Sequence, residues 1–244
     1  MINTYGNDMS TPLDAKPFFS SIYTILTDSK NFSPPLLPPI KPHSTILTSQ
    51  IASLQLHPSL EAALHILNAD LPSAHFLVRH MQSAPKYEGM FLHGILHRIE
   101  GDLNNARCWY SDVNGSEVFT KVWGEGKTFK EFKDSVDAGD NAEKWQESSC
   151  GIHGENEGAL DEGQRFLNRV QAFQKMTAKD RTDEEKRRLE EESMREIYGV
   201  IEWCKEKFGV ETWQDASSAW VENDDELKGI SQEMLTGDKG WRKF

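Results

Sequence analysis

The sequence predicts an all-α protein made of antiparallel helical hairpins, and three observations carry that prediction. Through residues 87–113, YEGMFLHGILHRIEGDLNNARCWYSDV, apolar residues recur at helical spacing. Met90, Phe91, Gly94, Ile95, Leu96 and Ile99 share one face of the first half, and Ala106, Trp109, Tyr110 and Val113 share one face of the second. Between the halves, Gly101 accepts the left-handed backbone that closes a helix and Asp102 can cap the next. So short a turn permits only an antiparallel pair. All ten prolines lie at or before Pro85, which leaves the rest of the chain free of the residue that interrupts helices.

The elements follow in order. Residues 1–16 read as a polar tail without the basic and apolar regions of a secretory leader. Pro17-Phe18-Phe19 and Ile22 to Leu26 predict a short helix docked on the core. Residues 31–42, NFSPPLLPPIKP, predict an extended polyproline segment, and Leu36, Leu37 and Ile40 between the prolines favour a strap laid across a surface. Helices are expected over 45–54, 60–67, 73–82 and the central pair in 87–113, with Pro58 and Pro72 at first helical turns. Residues 117–123 lead into Gly124, and 129–136 predict a short helix. Residues 137–158 form a Gly-, Glu- and Ser-rich loop, a mobile lid or simply disordered. An amphipathic helix is expected over 160–176. A charged, solvated helix over 178–192 should run into a packed one over 194–208. The domain division is therefore 1–44 for the tail and strap, 45–209 for the helical domain, and 210–244 for an acidic tail carrying Trp213, Trp220 and Trp241.

The steps Gly94, His97, Gly101, Ala106 and Tyr110 resemble a tetratricopeptide-repeat hairpin, with His97 where an aromatic is usual. Ala62, His65, Ala69, Ala74 and Val78 repeat those steps 32 residues upstream. The resemblance implies either a short solenoid or a closed helical bundle. The run HGILHRIEGDLNNARCWY (93–110), with Ser73-Ala74-His75 upstream and IEWCKEKFG (201–209) downstream, also resembles a broad family of small microbial proteins without an assigned activity. That likeness implies one domain over about 50–210 and brings no mechanism with it.

Composition narrows the function. The net charge is −12, with 7 Lys/Arg against 10 Asp/Glu in residues 1–120 and 20 against 29 in 121–244. Such a surface disfavours nucleic acid and anionic membrane, which need basic side chains to neutralise phosphate. No stretch approaches the roughly 18 apolar residues of a membrane span. Three scattered cysteines (Cys108, Cys150, Cys204) suggest free thiols in a reducing, cytoplasmic compartment. GEGKT (124–128) lacks the spacing of a phosphate loop.

Histidines mark the candidate site. Five of the eight fall between His65 and His97. His93 and His97 stand one turn apart, a spacing that lets two imidazoles share a metal, and His75 and His80 should lie beside them on the neighbouring hairpin. Glu100 or Asp102 would complete a set suited to a divalent transition metal. The alternative is that these histidines pack and hydrogen-bond where aromatics usually lie. As a catalytic group, His97 would be an acid or base, with Arg98 clamping an anion and Glu100 orienting it; as structure, Arg98 would pin the turn through Glu100 or Asp102. Two functions follow. One is a helical binding or scaffold protein that docks a peptide or protein partner between hairpins. The other is a small-molecule enzyme or sensor with a metal-binding pocket at His75, His93 and His97.

Overall fold

The computed structural model describes residues 18–28, 36, 38–39, 41–124 and 161–221. Among them the chain is entirely helical apart from turns. The helices are α1 (Phe19–Thr27), α2 (Thr45–Leu54), α3 (Pro58–Leu67), α4 (Leu71–Val78), α5 (Tyr87–Glu100), α6 (Leu103–Val113), α7 (Glu117–Trp123), α8 (Glu162–Lys175) and α9 (Asp183–Phe208), with a 3₁₀ turn at Ser217–Ala219. No described helix is long and apolar enough to cross a membrane. The expected helix at 129–136, the loop at 137–158, the tail at 1–16 and most of the proline-rich segment lie outside the described residues. Within the described part of that segment, the Leu36 side chain is buried and its carbonyl accepts from Gln174.

The helix ends follow local chemistry. Ser44, Asp70, Asp102, Ser116, Asp161 and Thr182 each accept a backbone N–H from the first turn that follows. Proline occupies the first turn of α3 and of α4. Gly101 and Ala69, equivalent positions in the two copies of the repeat pattern, both take left-handed backbone, at φ 88° and 57°. Glycine tolerates that conformation freely, whereas alanine is strained in it.

Two hairpins, α3–α4 and α5–α6, pair most closely. Helix α5 sits at the centre and packs on α3, α4, α6, α7 and α9. Its residues from Glu88 to Leu96 are buried without a break, and Ile99 lies fully inside. Helix α1 docks through Ile22 and Leu26 on α2 and α3. Helix α9 begins in solvent and ends in the core, its ion pairs Glu184–Arg188, Lys186–Glu190 and Arg187–Glu191 giving way to buried Ile197, Val200, Ile201 and Cys204. The chain after α9 turns back over the body: Trp213 N–H donates to the Gln55 carbonyl and Val221 N–H to that of His80.

Candidate metal centre

Helix α5 presents His93 and His97 toward α4, and α4 answers with His75. The ring nitrogens of the three converge, one from each ring lying within 4.8 Å of the others. His75 Nε2 and His93 Nε2 stand 2.9 Å apart. The His93 ring lies between His97 (centroids 4.8 Å apart, 19°) and Trp109 of α6 (4.5 Å, 26°), while His75 meets both other imidazoles edge-on.

Glu100, one turn beyond His97, ties the cluster together. Its Oε1 lies 3.2 Å from His75 Nδ1. The Nδ1–H of His75 therefore donates to the carboxylate, which leaves the Nε2 lone pair of His75 facing His93. A carboxylate bonded to the far nitrogen of an imidazole is the usual device for fixing a ligand's tautomer and orientation. Glu100 Oε2 is 3.4 Å from His97 Nδ1 but lacks the alignment of a hydrogen bond. The Asn105 amide lies 3.1 Å from His97 Nε2, so the second ring position of His97 is held from α6.

His93 is 5% exposed and His75 and Glu100 are about one-third or less exposed, so the cluster is a half-open corner. Burial, with the neighbouring charges of His97, His75 and Arg79, pushes the His93 imidazole down to about 3. Burial also lowers His97, against the pull of Glu100. Both rings are neutral at pH 7, but the Nε2 lone pair of His97 accepts from the Asn105 amide, which leaves its proton on Nδ1, so binding an ion requires that amide to turn its oxygen toward His97. Three imidazoles bound to one tetrahedral ion sit about 3.4 Å apart, a spacing within the range these nitrogens already span. Among the described residues this is the one group of three or more His, Cys, Asp or Glu side chains that could hold an ion.

Other candidates are placed elsewhere. Arg98 neither pins the turn nor faces His97. Its guanidinium is fully buried, donates from Nη2 to Glu196 (2.8 Å) and Ser193 (2.9 Å), and stacks over Phe166. Asp102 caps α6 rather than joining the histidines. His80 bonds the Phe76 carbonyl and packs on Trp220. His65 is buried beside Asp70 and Glu61, and His57 caps α3. Of the thiols expected to be free, Cys204 is free and buried, whereas Cys108 is disulfide-bonded; Cys150 and His153 lie outside the described residues.

Sequence reasoning placed Trp109 on the apolar face of its helix; Trp109 and Asn105 both prove to be neighbours of the histidines. It missed Glu196, the buried partner of Arg98, Tyr110 and Trp123, because that partnership spans 98 residues and leaves no local periodic signal. The chain matches no protein-family profile, no curated protein and no solved structure.

Proposed function

We propose that this protein is a small-molecule enzyme or sensor built around a divalent transition metal bound by His75, His93 and His97. The convergence of their ring nitrogens to within 4.8 Å carries the reading. Three imidazole nitrogen donors with a carboxylate behind them suit zinc and its neighbours in the first transition row. Such an ion polarises a carbonyl or phosphoryl oxygen, or lowers the pKa of a bound water. Glu100 orients His75, Asn105 orients His97, and Trp109 walls the cluster on the side of α6. The alternative of a partner-docking scaffold draws less support, because Trp213 and Trp220 pack on their own chain, against His57 and His80.

Elemental analysis of the purified full-length chain tests this. About one zinc-type ion per chain is expected after equilibration with metal and dialysis, with near-complete loss in the His93→Ala/His97→Ala double variant while its helical circular dichroism persists. A parent that takes up no metal, or a folded double variant that retains it, would overturn the proposal.

A further inference from the structure

A cavity of about 500 Å³ opens at the far end of α5, where the first turn of that helix meets the end of α6, the start of α7 and the last turns of α9. It shares no lining residue with the histidine cluster. Its size falls within the range of small-molecule pockets. Tyr87, Glu88, Asp112, Glu117, Trp203 and Lys207 supply its chemistry, three carboxyl groups against one ammonium.

Glu88 is 2% exposed, and its Oε2 is buried without a hydrogen-bond partner among the described residues. A buried carboxyl oxygen with no donor is costly, so the position calls for one. Trp203 is nearly buried, and the Lys207 Nζ lies 4.2 Å from its ring centroid. An ammonium over an indole is the arrangement that recognises organic cations. Lys207 thus shows, from within the chain, the type of group the aromatic wall accepts. An anionic ligand is disfavoured by the three carboxyl groups. A lone metal ion is disfavoured because these carboxyl groups do not converge as the histidines do.

We infer that this cavity binds a small organic cation, a primary alkylammonium whose charged end meets Glu88 and whose apolar body lies against Trp203 and Tyr87. Asp112 and Glu117, both exposed, form an acidic rim that favours entry of a cation.

Calorimetric titration of the full-length protein with n-butylammonium chloride tests the inference, with n-butanol as the neutral isostere. One butylammonium per chain is expected, with butanol weaker by about tenfold or more. Glu88→Gln should weaken butylammonium by a similar factor. The exposed-rim pair Asp112→Asn/Glu117→Gln, which leaves the core untouched, should weaken it severalfold. Lys207→Gln should strengthen it, because the indole face is then vacated; a merely structural lysine would not do so. Equal binding of butanol and butylammonium, no binding at millimolar concentration by either the parent or Lys207→Gln, or undiminished binding by the rim variant would each overturn the inference. Metal content is not expected to change in any of these variants, so this test and that of the histidine centre can fail separately.

Discussion

Arg98 and Glu196 are both fully buried and form an ion pair at 2.8 Å. Burial raises the Glu196 carboxyl, and the pull of Arg98, with hydrogen bonds from Tyr110 (2.5 Å) and Trp123 (3.1 Å), opposes it. Burial alone would lower Arg98, but the adjacent carboxylate outweighs that and raises it. The guanidinium at contact distance holds the pair in its charged form. Desolvating two ions costs nearly as much as their attraction returns, so the pair is poor evidence of net stability, yet breaking it strands a charge. Arg98→Met is therefore expected to cost about 3–5 kcal/mol by urea denaturation. Arg98→Met/Glu196→Leu should cost less than the single change, even though Tyr110 and Trp123 lose their acceptor. A double variant less stable than Arg98→Met would contradict this account.

At the scale of the element, the α5–α6 hairpin depends on how closely its helices approach. A Cβ added at Gly94 would stand 2.9 Å from both Trp109 Cβ and Tyr110 Cδ2, closer than real side chains come. Tyr110 cannot yield easily, because it is fully buried and bonded to Glu196. Trp109 Cβ is fixed by its own backbone, so relief requires α6 to shift, and with it the ring stacked on His93. Gly94→Ala should thus lose about 1–3 kcal/mol of stability through overpacking and also weaken zinc binding at the proposed centre. Thermal unfolding and a zinc titration on the same sample check both effects. Lost stability with unchanged zinc affinity would show that Trp109 is incidental to the centre. By contrast, the ion pairs along the exposed half of α9 contribute little, as solvated pairs do.

Across the whole molecule, buried His57 and half-buried Glu61 contribute opposing dependences of stability on pH. His57 stacks on Phe208 with centroids 3.5 Å apart, and burial, with the charges of Lys86 and Lys207, lowers it to about 4. The unfolded chain therefore binds a proton between about pH 6.5 and 4 that the folded chain refuses, and stability falls as pH drops through that window, by on the order of 3 kcal/mol. Burial raises Glu61 to about 7. Here the folded chain binds the extra proton between about pH 4.5 and 7, so stability is lost as pH rises through that window, by a similar amount. The slopes of these two groups nearly cancel between pH 4.5 and 6.5, while His93, lowered to about 3, adds a loss of stability toward acid of the same sign as His57. Glu61→Gln should be more stable than the parent at pH 8, by about 2–3 kcal/mol, and no more stable near pH 4. Urea denaturation at the two pH values measures the difference; equal gains at both would remove Glu61 from this role.

What the sequence determined by itself was local. Helical spacing placed α2 at 45–54 and the central hairpin at 87–113, and its turn glycine and capping aspartate appear where expected. Spacing also put His93 and His97 on one face, since residues four apart on a helix are neighbours whatever surrounds them. The tertiary structure decided everything that needed two distant segments to meet. It selected Glu100 over Asp102 beside the histidines, removed His80 from them, and turned Arg98 inward to Glu196. It also brought Glu88 to Trp203 and Lys207 across more than a hundred residues. Backbone geometry repeats within a few residues and so leaves a period in the sequence. Packing between helices is set by shape and burial over the whole core, and no period in the chain records it.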